Sequence, residues 1–414
     1  MLDYCVLQHI IRNIFYNMYK ERIIMHKRLL DRLKAKEEKM IKIRRYLHEH
    51  PELSFKEENT SDYIADFYRD LDVSVERNIG PRGIKVTIDS GNPGKTLAIR
   101  ADFDALPIQE ETGLPYASKV EGVMHACGHD AHTAYMLVLA ETLAELKDTF
   151  KGKVVVIHQP AEEVPPGGAK AMIQEGVLED VDHVLGLHVM STMKTGTIYY
   201  RPGYVQTGRA FFRLKIKGRA GHGSSPHMAN DAIVASSIFV TSAQTIVSRR
   251  LSPFDAGVVT IGSFDGQGQF NIIQDTVSLE GDVRGLTDQT KEVIEAEIRR
   301  IVKGIEVMFD VECELDYQDD YPALYNDPEF TQYVADTLQC ADLDFDVALT
   351  EPQPPSEDFA YYAKERPSSF IYAGASPEDG HIYPHHHPKF NINERSLLIA
   401  AQAVGTVVID YLNQ

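Results

Sequence analysis

The chain has 414 residues, of which 43% are hydrophobic and 25% charged, as is typical of a globular protein rather than a disordered one. Because a single hydrophobic core rarely grows beyond about 250–300 residues, this length predicts two domains. The formal charge of −19 at pH 7 repels nucleic acid and anionic membranes, so neither is an expected partner. An anionic substrate is not excluded, since a local positive site or a metal ion can outweigh a distant field.

The cysteines and the apolar segments bear on the cellular compartment. Four widely separated cysteines do not favour a disulfide framework: Cys5, Cys127, Cys313 and Cys340. No run approaches the roughly 18 apolar residues of a membrane span. Apolar residues from Val6 to Met18 predict an amphipathic packing or oligomer helix, with weak membrane-surface contact as the alternative. Arg12 interrupts this segment and argues against a signal peptide. The scattered cysteines fit a reducing, cytoplasmic setting.

Predicted helices and strands alternate through the first 200 residues. Apolar spacing of three and four predicts helices over 27–50 and 58–71, and later over 131–146 and 168–175. Short apolar runs bounded by turn residues predict four buried strands, over 83–88, 96–101, 154–158 and 183–188. This alternation predicts an α/β sheet that is covered by helices on both faces.

The pattern changes after residue 204. The predicted elements there are a strand over 209–217, a helix over 231–247, strands over 257–262 and 277–283, a helix over 289–308 and a strand over 310–317. This β-α-β-β-α-β order is the ferredoxin-like arrangement. Helices over 329–338 and 397–411, with a strand over 369–373, then return to the first sheet. We therefore predict an N-terminal helical extension (1–40), a first domain (41–203 and 318–414) and an inserted α+β domain (204–317).

The segment His125-Ala-Cys-Gly-His-Asp-Ala-His132 places a thiol, imidazoles and a carboxylate close together beside a glycine turn. Such a donor set suits a transition-metal site. Cys127 and His129 are the first candidates for ligands. The alternative is a buried cysteine beside a helix-capping Asp130, with histidines on the surface.

The segment Gln159-Pro-Ala-Glu-Glu163 directly follows a predicted buried strand. Glu162 and Glu163 thus lie at the carboxyl end of a strand, where open α/β sheets bind their ligands. Two neighbouring acids can divide the work, one binding metal and the other moving protons. The alternative is a solvated acidic loop, which is the ordinary explanation of an isolated Glu-Glu pair.

Two further segments carry histidines. His188 ends another apolar strand, although a lone histidine there is more often structural. Three consecutive histidines, His385 to His387, lie in a polar loop that invites metal binding. Taken together, a cysteine, several histidines and two acids fall at strand ends or adjoining loops of one predicted sheet, which independent accidents would not produce.

The segments Arg100-Ala-Asp-Phe-Asp-Ala-Leu-Pro107, Met124-His-Ala-Cys-Gly-His-Asp-Ala-His132 and Gln159-Pro-Ala-Glu-Glu163 resemble the aminoacylase/carboxypeptidase family of dinuclear metallopeptidases. More narrowly, these segments resemble the amidohydrolase branch of that family, which contains hippuricases, N-acyl-amino-acid hydrolases and auxin-conjugate hydrolases. It runs from about residue 41 to the C-terminus. The fold it implies is a mixed-sheet α/β/α catalytic domain with an inserted lid and dimerisation domain.

The resemblance also implies roles for individual residues of the first domain. The implied metal ligands are Cys127, His129, Glu163, His188 and His386. The family pattern His-x-Pro-x-Phe selects His386 over its two histidine neighbours. Glu162 matches the general base. Asp102, Asp104 and Asp130 are expected to orient ligands or water.

In the inserted domain, His222 matches a histidine that reaches the active site of a neighbouring subunit. Asn271 and Arg284 match positions that hold a substrate carboxylate. The resemblance thus implies a homodimer through the inserted domain, and a tetramer stays open. The sequence departs from the family at Gln274, where proline is commoner, and at Val164-Pro-Pro, where a glycine run is usual; the second change could alter the acyl pocket.

The predicted function is hydrolysis of the amide bond of a small N-acyl amino acid, with a metal-activated water and a glutamate base. Two divalent ions per chain are expected, drawn from zinc, manganese, cobalt or nickel, with Cys127 as the candidate bridging ligand. A dipeptidase or carboxypeptidase using the same site is the alternative. A non-catalytic metal-binding regulator is a remote second alternative, because Glu162 and the full ligand set are present.

Overall fold

The computed structural model describes residues 22–414, so the N-terminal apolar segment and Cys5 lie outside the described residues. The described chain divides into two compact units. The first contains residues up to 203 together with 326–350 and 361–414. The second contains 204–325 and 351–360, of which 318–325 and 351–360 lie beyond the predicted bounds of the inserted domain.

The described helices, in chain order, are α1 (22–35), α2 (Glu37–Glu49), α3 (Glu58–Phe67), α4 (His129–Glu145), α5 (Gly168–Gln174), α6 (Ala232–Arg249), α7 (Asp288–Phe309), α8 (Pro328–Cys340), α9 (Ala360–Glu365) and α10 (Arg395–Tyr411). The single helix predicted over 27–50 is therefore two helices, which are separated by a turn at Lys36.

The described strands are β1 (Ser74–Ile79), β2 (Gly83–Asp89), β3 (Thr96–Asp102), β4 (Lys153–Gln159), β5 (His183–Met190), β6 (Thr197–Tyr200), β7 (Gly203–Gln206), β8 (Gly208–Lys217), β9 (Gly221–His222), β10 (Gly257–Asp265), β11 (Ile272–Ile273), β12 (Thr276–Gly285), β13 (Glu312–Tyr321), β14 (Leu324–Asn326), β15 (Asp346–Leu349) and β16 (Ser368–Gly374).

An eight-stranded mixed sheet forms the centre of the first unit, in the order β1-β2-β4-β3-β5-β16-β6-β15. Strand β3 is parallel to both β4 and β5, and β5 is parallel to β16. Every residue of β3 and β16 is buried, as expected of central strands covered on both faces. The carboxyl ends of β3, β4 and β5 therefore meet at one edge of the sheet. The predicted mixed α/β fold is confirmed.

The helix α4 opens within the first metal motif and is almost entirely buried. It begins at His129, two residues before the predicted start, and is buried from there to Leu143 apart from one position. Gly128 precedes it with a φ of 92°, a left-handed conformation that favours glycine. A Cβ at Gly128 would also lie 2.5 Å from Val189 Cγ2 on β5, so only glycine allows this close approach.

The second unit contains a four-stranded antiparallel sheet in the order β10-β12-β8-β13. The alternation along β8 buries four apolar side chains in the core with α6 and α7: Ala210, Phe212, Leu214 and Ile216. With the chain order β8-α6-β10-β12-α7-β13, this sheet order has the split βαβ topology of the ferredoxin-like fold.

The helix α6 is unusual in composition. Within the described part of the chain it alone is long and apolar enough to meet the length and hydropathy criteria of a membrane span, yet only a third of it is buried. One such helix is weak evidence for a span. The partial burial of α6 leaves some of its apolar side chains exposed, among them Val234 and Ile238.

Candidate metal centre

The edge of the eight-stranded sheet brings four predicted segments together. Asp102 ends β3 and Asp104 follows it; Glu162 and Glu163 follow β4. His188 lies near the end of β5, and the first turn of α4 supplies His129. Because parallel strands end at the same edge, residues far apart in sequence meet here.

Five donor side chains fall into two groups of three that share one cysteine. Atoms of Cys127, His129 and His188 lie within 4.8 Å of one another, as do atoms of Cys127, Glu163 and His386. Thiolate, imidazole and carboxylate donors are the ligands that zinc and neighbouring transition metals take. All five predicted ligands are thus brought together, with Cys127 at the junction of the two groups.

The side chain of His129 is oriented as a metal ligand would be. Its Nδ1 lies 3.1 Å from Asp104 Oδ1 and 3.0 Å from the Asp104 carbonyl, so this nitrogen donates its proton there. Its buried Nε2 has no hydrogen-bond partner in residues 22–414. Such a carboxylate–histidine pair fixes the tautomer and leaves the other nitrogen free for a metal ion. These contacts hold the His129 ring in one orientation.

Two other histidines show how the hydrogen bonds separate ligands from supports. His188 donates from Nδ1 to the Val189 carbonyl at 2.7 Å, which leaves its Nε2 3.5 Å from Cys127 Sγ. His132 instead donates from Nδ1 to Asp102 Oδ1 at 2.6 Å, and its Nε2 accepts from the Val189 amide at 2.9 Å. Both nitrogens of His132 are thus occupied within the protein, so it supports the site without a free lone pair.

The three histidines of the late tract have different surroundings. His386 Nε2 lies 3.2 Å from Glu163 Oε1, and its backbone has a φ of 65°. His385 is half-buried, and its Nδ1 lies 3.6 Å from Cys127 Sγ. His387 Nδ1 accepts from the Lys389 amide, which removes it from the site. The sequence pattern selected His386 and missed the contact of His385 with Cys127, because that contact depends on the backbone turn at His386.

The electrostatics of the site fit a bound cation. Burial and the nearby carboxylates of Glu163 and Glu162 raise the pKa of the Cys127 thiol well above its ordinary value. Burial acts to lower the pKa of His129, but Asp102, Asp104 and Glu163 outweigh it and raise that pKa to about 10. Buried negative charge of this kind is compensated when divalent metal ions bind. The donor set and its charge therefore fit two such ions.

Glu162 is buried beside the ligands. Its carboxylate, that of Glu163 and His129 lie within 4.8 Å of one another. The Glu163 amide donates to Asp104 Oδ2 at 3.0 Å, which fixes the backbone just after Glu162. Since Glu163 belongs to a donor group and Glu162 is its neighbour, the arrangement allows one acid to bind metal while the other moves protons.

Asp130 does not face the donor groups but lies in a buried ionic network. Its Oδ2 accepts from Arg44 Nε at 3.1 Å and lies 2.8 Å from His48 Nδ1. Asp130 follows His129 directly in the first turn of α4, and Arg44 and His48 are on α2. The network therefore joins the helix that supplies His129 to α2.

Of the three predicted site residues in the second unit, two lie at the short β9–β11 pair and one lies on the four-stranded sheet. The exposed His222 ends β9, opposite Ile272 of β11, and the Asn271 carbonyl accepts from the Gly223 amide at 2.8 Å. His222 and Asn271 are thus on adjoining segments. Arg284 is on β12 of the four-stranded sheet, where it donates to Asp282 at 2.9 Å and to Ser356 at 3.2 Å.

Comparison with known proteins places this geometry in a family. A model described as peptidase family M20/M25/M40 matches residues 98–410. The chain belongs to this family. The "putative amidohydrolase YhaA" of Bacillus subtilis is 44% identical over 375 residues, covering 90% of this chain and 95% of its own length.

Two solved structures support the M20 assignment. A "putative aminohydrolase" from methicillin resistant Staphylococcus aureus is 76% identical, with a TM-score of 0.91, covering 94% of this chain and all of its own. The YXEP protein of Bacillus subtilis, a dinuclear metal binding peptidase of the M20 family, is 32% identical with a TM-score of 0.80. That match covers 92% of this chain and 99% of the other.

M20 relatives named for a substrate fall into two groups at similar identity. Thermostable carboxypeptidase 1 of Saccharolobus solfataricus is 37% identical over 91% of this chain and 96% of its own length. The N-acetyl-L-cysteine deacetylase of Bacillus subtilis is 36% identical over 89% of this chain and 87% of its own length. The chain is thus a metal-dependent hydrolase of amide bonds, and identity alone does not choose between peptide and N-acyl substrates.

Proposed function

We propose that this M20 hydrolase cleaves the amide bond of N-acyl amino acids. The observation that carries the proposal is the placement of the buried Glu162 carboxylate beside two donor groups that share Cys127. The N-acetyl-L-cysteine deacetylase at 36% identity supports N-acyl amino acids as the substrate class. A carboxypeptidase with the same site is the second candidate, which the relative at 37% identity supports.

Two divalent metal ions would be held by five residues: Cys127, His129, Glu163, His188 and His386. Because Cys127 belongs to both donor groups, its thiolate would help to hold either ion. Zinc, manganese, cobalt and nickel all accept this mixed donor set. When bound, the ions polarise the scissile carbonyl and lower the pKa of a water to roughly 7.

Within that site, Glu162 takes a proton from the attacking water and later delivers it to the leaving amine nitrogen. Asp104 holds the His129 ring, and Asp102 holds His132 behind it. His222 donates to the oxygen on which negative charge develops, and Asn271 and Arg284 bind the substrate carboxylate. A cationic Arg284 in this role would allow an acidic protein to accept an anionic substrate.

We expect two metal ions per chain and release of a free amino acid that a chelator abolishes. The test measures bound metal, then assays N-acetyl amino acids, N-benzoyl amino acids and dipeptides with and without the chelator. Restoring activity with added metal ions would control for unfolding. Cleavage of peptides alone would favour the carboxypeptidase. Bound metal without turnover of any amide would favour a non-catalytic metal-binding protein.

The second unit has a surface suited to a homodimer. β10 is an edge strand of the four-stranded sheet and pairs only with β12 among the described residues. Beside it, α6 exposes Val234 and Ile238, at 47% and 37% of their surfaces. An unpaired edge next to an apolar helix face is a surface that a second copy can cover. In such a dimer, His222 of each chain would complete the site of the other.

A cytoplasmic location fits the three free cysteines of the described chain.

We expect the double substitution Val234→Asp and Ile238→Asp to convert a dimer into a monomer of 46.5 kDa and to abolish turnover. Val307→Asp is the matched control, because Val307 is 88% exposed on the other helix of the same unit. Mass in solution and hydrolysis are measured for each.

Mixed dimers of Glu162→Gln and His222→Ala chains should regain activity. No recovery in verified mixed dimers would show that His222 does not act across the interface.

A further inference from the structure

The loop that carries the two acids is held in an unfavourable backbone conformation. Ala161 directly precedes Glu162 and has a φ of 53°, in the left-handed region that a residue with a Cβ rarely adopts. Its carbonyl accepts from the Gly168 amide at 3.0 Å, which closes the loop. A Cβ at Gly168 would lie 2.0 Å from the Pro160 carbonyl oxygen, so this closure requires glycine. The conformation at Ala161 therefore persists only because its surroundings fix it.

One of those surroundings is Glu57, which is distant in sequence and fully buried. Its Oε1 accepts a hydrogen bond from the Ala161 amide at 2.8 Å. Two residues further on, the Glu163 amide donates to Asp104 Oδ2 at 3.0 Å. The backbone is thus anchored by a buried carboxyl group on each side of Glu162. A buried amide that loses its acceptor is left unsatisfied, so each of these two anchors is costly to remove.

Glu57 is placed where an acid would ordinarily cap a helix, yet it does not do so. It occupies the N-cap position of α3 without a side-chain capping bond. The first amides of α3 are bound instead by Glu52, whose carboxyl oxygens accept from Asn59 at 3.2 Å and Thr60 at 2.8 Å. Since helix capping falls to Glu52, the Glu57 carboxyl group is available for the Ala161 amide.

We propose that Glu57 is a positioning residue, which holds the Ala161 amide so that the Glu162 carboxylate faces the reacting water. The proposal rests on the proposed function, in which Glu162 is the general base. Glu57 acts through the backbone and touches no predicted ligand. Its neighbour in the same segment, Ser54, donates to Asp104 Oδ2 at 2.7 Å and so supports the second anchor.

The expected effect falls on the chemical step. A displacement of a catalytic group by about 1 Å can cost roughly 100-fold in rate. Because Glu162 moves protons and does not grip the substrate, kcat should fall while KM changes by less than about twofold. Glutamine at position 57 retains the Oε1 acceptor and should restore most of the rate. A purely structural role would not produce this separation of kcat from KM, nor the rescue.

The experiment compares Glu57→Ala, Glu57→Gln and the control Glu52→Ala in the holoenzyme. The kcat of Glu57→Ala should fall by about 100-fold, and that of Glu57→Gln by less than about tenfold. Glu52→Ala should have a lower melting temperature and an unchanged kcat. If Glu57→Ala gives no folded protein, Glu57→Asp, which is one methylene shorter, carries the same test. A kcat of Glu57→Ala within about twofold of the parent, or an equal loss in Glu52→Ala, would overturn the proposal.

A second readout separates this proposal from the proposed function. Hydrogen–deuterium exchange of a peptide spanning residues 160–168 is measured in the chelator-treated protein, where no turnover is needed. Faster exchange in Glu57→Ala but not in Glu57→Gln supports the anchor even if the parent protein hydrolyses no tested amide. Unchanged exchange in Glu57→Ala overturns the positioning role, whichever substrate the enzyme takes.

Discussion

Replacing Glu162 with glutamine should leave two metal ions bound and reduce turnover by about 1,000-fold or more, since general acid–base catalysis contributes roughly 10²–10⁴-fold. Glutamine keeps the size of the side chain and can still accept a hydrogen bond, but it cannot take a proton at neutral pH. The buried position of Glu162 beside His129 and Glu163 makes it the acid best placed for this step. Metal content and kcat are the two measurements.

The adjacent acid provides the matched control. Glu163 belongs to the donor group with Cys127 and His386, so Glu163→Gln should lower both the metal content and the activity. The two variants carry the same change in size and charge at adjacent positions of the chain. Loss of metal in Glu162→Gln, or retention of more than about a tenth of the parent rate, would contradict the general-base assignment.

Much of the site was predictable because its residues lie at or just after the end of an apolar strand, as Asp104, Glu163 and His188 do, or open an apolar helix, as His129 does. Burial of β3 and β4 on both faces requires continuous apolar runs, and these runs make the polar residues that follow them conspicuous. Position in the sheet then brings Asp104 and Glu163 within hydrogen-bond reach. The fold class followed from the same alternation of strands and helices.

Other features left no periodic signal. β1 pairs with β2 at the margin of the sheet and is mostly exposed, so its sequence Ser-Val-Glu-Arg-Asn-Ile has no buried face to reveal it. The contact of His385 with Cys127 depends on the left-handed backbone at His386. The role of Glu57 was hidden because an acid before a helix predicts a cap, and only the tertiary structure shows that Glu52 provides it.

The buried network behind the site leads to the second large effect, on stability. Arg44 is fully buried, with Nε 3.1 Å from Asp130 Oδ2 and Nη1 3.0 Å from Glu394 Oε1. Burial by itself would raise the pKa of Asp130, but Arg44 and His48 outweigh it and hold that pKa far below its ordinary value. A carboxyl group whose pKa is lowered by folding stabilises the protein above its unfolded pKa, and this contribution is lost as the pH falls.

Arg44→Met should therefore reduce the free energy of unfolding by about 3–5 kcal/mol at neutral pH, because it removes the buried arginine that compensates the Asp130 charge and leaves only His48 beside it. The cost should shrink as the pH falls and Asp130 of the variant takes up a proton. Arg45→Met is the control: Arg45 binds the same Glu394 at 2.6 Å but is 46% exposed, so about 1 kcal/mol or less is expected. Urea unfolding of both variants at several pH values measures the difference. An equal loss of unfolding free energy in the two variants would mean that the Arg44–Asp130 pair stabilises the fold no more than a surface ion pair does. In that case α4 would hold His129 in place through its apolar contacts alone.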